Sequence, residues 1–455
     1  EARPVVRRIG AAAAAMAAIS LVLPPPWDPM MMTAGMYKYV TDVSDHSREG
    51  IRSFAKREYD MLYYREGLSS VVTVARNLDS GNIWLANNGK IDASTSYDMP
   101  TQVLVSLLPF QFVDHADRVL VIGLASGITA GAVTLVDEVD ALDVAELEPA
   151  IVEASRLFDD HNHHLLDDPR ARLILNDGRN HVLLTPPGTY DVIVSEPSNP
   201  WLTGVSNLFT DEFLRMGKTR LKPGGVWSQW VQLYGMDESD MRSLIRTFAE
   251  VYPNVLVYTA AEGADLVLIG SDRALDPSVD AVQRLLDRPK VLAELDAIDL
   301  GEPAAIFGHL LLDRTRALAL AGDIEINTDD NLRIEYNAPL HLHVDTQSIN
   351  VELMREHAWL PLEHMGTDAA LLARASRYWL SLDEFDRAIE GLTRAALRLP
   401  EWDDTRQVWL EDAFAWFVKA RTDKQVAGVE RGLLEVLRQD FWAEVVDPIE
   451  AGAPR

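Results

Sequence analysis

Seven apolar runs between Arg118 and about Gly270 constrain the fold of this chain more than any other feature. They read "RVLVIGL", "ALDVAEL", "ARLILND", "YDVIVSEP", "GGVWSQWVQL", "NVLVYTA" and "ADLVLIG", and stretches of helical character separate them. Short runs that are apolar at nearly every position suit strands covered on both faces. Their alternation with helices specifies a mostly parallel, doubly wound α/β sheet. At 455 residues, 47% of them hydrophobic, the chain can bury the core that such a sheet needs.

The flanks obey other patterns. From Met61 to Ile91, β-branched and aromatic residues alternate with polar ones, broken by turn formers at Asn77 to Asn82 and Asn87 to Gly89. This predicts a small antiparallel β domain. Past Leu275 the pattern is helical, apart from one expected strand at "NLRIEYNAP". The segment Leu372 to Pro400 carries small residues at Ala375, Ser376, Ala388 and Ala395 beside Trp379, which suits either one tetratricopeptide-type helix pair or an ordinary helical hairpin. The expected division is 1–26, an apolar segment; 27–112, β-rich; 113–345, the α/β domain with its elaboration; and 346–455, helical.

At the N-terminal end, Arg7 and Arg8 precede an apolar run from Ile9 to Leu23 that Pro24, Pro25 and Pro26 stop. The run is shorter than the roughly 20 residues that cross a bilayer. It reads as a membrane-associated or processed remnant, with the catalytic domain placed in the cytoplasm. Arginines ahead of a spanning segment would instead direct the downstream chain outward, and the two expectations conflict.

A net charge of -28 argues against a phosphate-neutralising surface, so no nucleic-acid partner is expected, while a cationic substrate would be attracted. The absence of cysteine removes disulfides, thiolate metal sites and cysteine nucleophiles. His161, His163 and His164 in "DDHNHHLLDDP" lack a metal-binding helical spacing. They read as a polar loop, and no metal is expected.

Chemistry gathers at the strand ends. "GLASG" after the first parallel strand puts Gly123, Ser126 and Gly127 at a strand-to-helix turn, where glycines admit a ligand close to the backbone. Glu146 ends the next strand about twenty residues on, where a carboxylate can accept both hydroxyls of a ribose. A third strand runs into Asp177 and Gly178, placed to meet an adenine amino group. Together these predict an adenosine pocket. The fourth strand ends at Glu196, with Asn199 and Pro200 just beyond it.

With that strand the chain resembles the spermidine synthase family of polyamine aminopropyltransferases, in particular the bacterial spermidine synthase-like domains that come after membrane segments. The resemblance runs from Trp27 to Trp230 through "WDPMMMTAGMYKY", "YYREG", "NGKIDAS", "DMPTQ" and "YDVIVSEPSNPW", and continues to "INTDDNLRIEYNAP". It implies a β-stranded N-terminal domain on a class I methyltransferase-like Rossmann domain, with a homodimer assembled through the N-terminal region. The implied donor is decarboxylated S-adenosylmethionine and the acceptor a small-molecule amine. Glu146 matches the family's ribose-binding acid, Asp177 and Gly178 its adenine-contacting pair, and Glu196 its catalytic base.

Four positions depart from the family pattern. Ser126 stands where family members carry an ammonium-gripping Asp, Asn199 replaces a second acid, Thr101 replaces the Tyr of a Tyr-Gln pair, and Leu107 replaces a His. Each removes a polar handle for a polyamine. Asp98 and Gln102 are expected to line the acceptor cavity or cap a helix, and Tyr234 to face the pocket or pack. Trp201 is a lid or a core residue, and Tyr64, Arg65 and Glu66 are ligand contacts or a turn. Besides aminopropyl transfer, two alternatives stand: methyl transfer from S-adenosylmethionine itself, and a non-catalytic module binding a nucleoside or a partner.

Overall fold

The computed structural model describes residues 28–260 and 263–452, with 10, 12, 13, 15 and 16 before them. Most of the expected membrane-associated segment, 1–26, lies outside the described residues. Among those described, no helix is long and apolar enough to cross a membrane. The chain forms two compact units, 1–94 and 95–455.

In the first unit Ser47 caps the helix Arg48–Glu58 by accepting the Gly50 N–H. The chain then enters an antiparallel meander of β1 (Tyr59–Glu66), β2 (Val71–Asn77), β3 (Ile83–Asn87) and β4 (Lys90–Ser94). Asn88 and Gly89, with φ of 50° and 79°, make the two-residue turn between β3 and β4. Two successive left-handed residues give the turn twist that matches paired strands. Ala75, Trp84 and Ala86 form a small core, with Tyr59 edge-on to Trp84 at 5.2 Å.

The second unit is built on an eight-stranded sheet. Its strands are β5 (Val119–Ile122), β6 (Leu142–Glu146), β7 (Ala171–Leu175), β8 (Tyr190–Ser195), β9 (Leu221–Gln232), β10 (Asn254–Ala260), β11 (Asp265–Ser271) and β12 (Leu310–Asp313). They lie in the order β12-β10-β11-β9-β8-β5-β6-β7. Strands β5 to β9 are mutually parallel, and β11, β10 and β12 join them through antiparallel pairings, so the fold is the Rossmann-type α/β class expected. The chain runs outward from β5 through β6 and β7, then returns to pair β8 on the other side of β5. That reversal opens a crevice at the carboxyl ends of β5 and β8, where such sheets bind ligands.

Two elements differ from expectation. β12 forms within a region read as helical. "NLRIEYNAP" is not a strand but a single turn, Arg333–Asn337, continued by a tight turn at Ala338–His341. Its apolar residues alternate as in a strand, yet Leu332 sits at φ 37° and Tyr336 is 70% exposed, so of Leu332, Ile334 and Tyr336 only Ile334 is buried. What this segment supplies is polar: Asn337 donates to buried Asp240 at 2.9 Å and Arg333 faces the same carboxylate at 3.5 Å. Asp240 lies in the first turn of the helix Glu238–Val251, which Asp237 caps.

The C-terminal helices attach to the sheet's antiparallel end. The helices Ala369–Ser381 and Phe385–Leu397 pair through small residues; a side chain at Gly391 would strike Ser376 and Trp379. Trp359 donates its backbone N–H to Leu311 of β12 at 2.6 Å, and buried Arg387 donates to the Leu310 carbonyl while its guanidinium lies 4.3 Å from the Trp379 ring centre. Asn350, in the helix Gln347–Glu356, donates to the carbonyls of Leu233 and Met236 at 2.8 and 3.0 Å.

Candidate active site

The glycine turn after β5 needs its glycines for specific reasons. Gly123 has φ +96°, and a Cβ there would lie 2.5 Å from the carbonyl oxygen of Glu196, so this position brings the chain ends of β5 and β8 into backbone contact. Gly127 has φ +81° and opens the helix Ile128–Val133. The Ser126 hydroxyl, 1% exposed, donates to Gln102 Oε1 at 2.7 Å. Beneath the turn, Asn162 donates from one amide to the carbonyls of Ser126 and Ser155, both at 3.0 Å. The histidine-rich stretch therefore contributes an asparagine brace to the turn, a role its composition concealed.

Glu146 ends β6 with its carboxylate buried. It accepts the backbone N–H of Leu124 at 3.0 Å and that of Glu148 at 2.8 Å, which fixes it beside the glycine turn. Burial pushes its pKa up, against the pull of the Glu148, Leu124 and Leu147 N–H groups. Asp177 caps the helix Gly178–Leu184 by accepting the Asn180 N–H at 2.8 Å. A Cβ on Gly178 would lie 2.6 Å from the Ile122 side chain, so glycine there lets this helix start against the end of β5. Gly123, Ser126, Gly127, Glu146, Asp177 and Gly178 thus sit together at the carboxyl ends of three neighbouring strands.

Across the crevice, Glu196 stands just after β8 and its Oε2 accepts a hydrogen bond from the Thr129 hydroxyl. Thr129 had no sequence signal; it is one small polar residue in an apolar helix. Asn199 is fully buried, its amide 3.5 Å from the Tyr234 hydroxyl, and its Oδ1 has no hydrogen-bond partner. Tyr234 meets Trp201 edge-on at 6.0 Å, and Trp201 is buried.

The helix Met99–Leu107 supplies the remaining side. Asp98 precedes it without capping it through its side chain, and Leu107 is buried in the core. Gln102 on this helix receives the Ser126 hydroxyl, and the Thr101 hydroxyl donates to Asp265 at 2.8 Å. Tyr64, Arg65 and Glu66 lie on β1 of the first unit, where the Tyr64 hydroxyl donates to Glu66 at 3.0 Å. Arg179 grips Asp329, the Asn207 carbonyl and Thr210, and ties the helix after β7 to the loop after β8.

The family described as spermine/spermidine synthase domain matches residues 101–261. A polyamine aminopropyltransferase of Shigella sonnei is 27% identical over 203 residues, 44% of this chain and 69% of that protein. Among solved structures, the spermidine synthase of Thermotoga maritima aligns with a TM-score of 0.44 at 22% identity, covering 49% of this chain and 75% of that one. A probable spermidine synthase from Corynebacterium glutamicum gives 0.45 at 19%, covering 59% and 96%. The matched span begins at Thr101 and takes in the glycine turn, Glu146, Asp177, Glu196, Asn199 and Tyr234, and over this span the chain is similar to the spermidine synthase family.

Proposed function

We propose that this enzyme moves an aminopropyl group from decarboxylated S-adenosylmethionine to a small-molecule amine, with Glu196 as the base. The observation that carries the reading is the placement of two carboxylates on either side of one crevice. Glu146 is held by backbone N–H groups beside the glycine turn, and Glu196 is held by Thr129 after the neighbouring strand.

The residues suit an adenosyl donor. Glu146 keeps lone pairs for ribose hydroxyls beyond the two N–H groups it accepts, and the Asp177 cap engages only one of that residue's oxygens. When bound, the donor's sulfonium supplies an electrophilic carbon. A protonated amine has no lone pair, so the acceptor must first be neutral at nitrogen. As the nitrogen lone pair forms the new C–N bond, the C–S bond breaks, its electrons return to sulfur, and methylthioadenosine leaves. Glu196 takes the proton that the amine sheds. Its charge also favours the cationic reactants.

Ser126 supports a second reading, methyl transfer from S-adenosylmethionine. A neutral hydroxyl bonded to Gln102 does not repel the methionine carboxylate as an acid would.

Calorimetric titration separates these. Decarboxylated S-adenosylmethionine and methylthioadenosine are expected to bind, and Glu146→Ala to abolish both. Tighter binding of S-adenosylmethionine than of its decarboxylated form would replace this reading with the second. No binding of any adenosyl compound would leave a non-catalytic module.

A further inference from the structure

We propose that Asp237, Asp240 and His341 bind one divalent transition-metal cation of the zinc type, which clamps the segment 333–341 onto the start of the helix Glu238–Val251. One ligand atom from each of the three residues lies within 4.8 Å of the other two. Two metal–ligand bonds of about 2.0–2.2 Å span nearly that distance, so a small side-chain rotation lets one ion reach all three. Asp237 is the N-cap of the helix and Asp240 stands in its first turn, and their spacing of three puts both carboxylates on one side of the helix end. His341 ends the tight turn Ala338–His341 and approaches Asp237, with its Nε2 3.8 Å from Oδ2.

An unanswered buried oxygen separates this cluster from a chance gathering of acids. Asp240 is 0% exposed. Its Oδ1 takes the Asn337 amide and faces Arg333, while its Oδ2 has no hydrogen-bond partner. The His341 Nδ1 is also enclosed without a partner. Buried polar atoms in that condition are costly and rare, and two in one cluster mark a place for a ligand that accepts lone pairs. With no ion bound, burial pushes the Asp240 carboxyl up to about 6, and Asp237 adds to the rise. Arg333 offsets one of the two carboxylate charges and leaves the other for the cation. Among the described residues, two other clusters have comparable spacing: His115 with Asp117 and Asp140, and Asp159 with His164 and Asp167; neither contains a buried residue. The donor set also selects the metal. Magnesium and calcium favour oxygen ligands alone, whereas an imidazole beside two carboxylates suits zinc, which such sites bind more tightly than manganese. No sequence spacing announces the site, because His341 lies about a hundred residues beyond the acids.

The test is calorimetric titration of zinc chloride into the untagged full chain after chelator treatment. Wild type should bind one zinc ion with a Kd of about 1 μM or below, and its melting temperature should rise by several degrees at saturating zinc. Asp240→Asn and His341→Ala should each weaken this site by about tenfold or more, and His115→Ala should leave it unchanged. None of these readouts depends on aminopropyl transfer. Absence of saturable zinc binding by wild type would overturn the proposal. So would tight binding that survives in both Asp240→Asn and His341→Ala, or that His115→Ala removes. If Asp240→Asn does not fold, His341→Gln, at a half-buried turn position, carries the same test beside His341→Ala.

Discussion

Glu196 takes its orientation from Thr129, at the start of the helix that the glycine turn opens. Glu196→Gln keeps the shape and removes the carboxylate proposed as the base. Turnover should fall by about a hundredfold or more, with methylthioadenosine affinity unchanged. Thr129→Val removes only the hydroxyl that holds the carboxylate, so kcat should drop less, by roughly tenfold, and KM for the donor should stay constant. Single-turnover kinetics on both variants checks this; equal losses would mean that Thr129 does more than position. At this scale the placement of Glu146, Asp177 and Glu196 at strand ends was readable because acids ending apolar strands stand out. The contact of Thr129 with Glu196 was not, because it joins residues far apart along the chain. The bond between Thr101 and Asp265 spans 164 residues, and no local pattern encodes it.

Elements were readable to the extent that burial is uniform along them. The seven strands of the α/β domain sit where their apolar runs place them. β12 escaped notice because Leu310, Leu311 and Leu312 make a run too short to separate from the helices around it. The segment around Ile334 failed for the opposite reason: of Leu332, Ile334 and Tyr336 only Ile334 is buried, and Tyr336 faces solvent. The glycine turn allows a sharper test of how elements meet. Gly123 and Gly204 share a positive φ, +96° and +87°, but a Cβ at Gly123 strikes the Glu196 carbonyl whereas Gly204 faces open space. Gly204→Ala should cost only the backbone strain, about 1 kcal/mol. Gly123→Ala should cost about 2 kcal/mol more, since backbone on both sides must shift. Urea denaturation of the two variants compares them, and equal costs would mean that the β5 and β8 ends yield easily.

Across the whole second unit, distant segments are joined by polar groups that the core has enclosed. Asp240 shows the cost. Burial raises its pKa to about 6, opposed by the Asn337 hydrogen bond, reinforced by Asp237, and opposed again by Arg333 and His341. An acid with a folded pKa near 6 and an unfolded one near 3.9 binds more protons when folded. Stability should therefore be fully favoured below about pH 4 and decline as pH rises toward about 6. Asp240→Asn does not titrate and can still accept from Asn337. Its melting temperature relative to wild type should rise from pH 4 to pH 7, by the equivalent of up to about 3 kcal/mol. Parallel melting curves across that range would contradict the assignment.

Asn350 carries a different consequence. By holding the carbonyls of Leu233 and Met236 it sets the backbone on both sides of Tyr234, so the loop at the crevice is shaped partly by a helix more than a hundred residues downstream. A transplantable catalytic core cannot stop where the family match ends at residue 261. Any graft or minimal version of this enzyme has to carry the chain through at least the helix Gln347–Glu356, and a lesion in that distant helix would register first in the backbone around Tyr234.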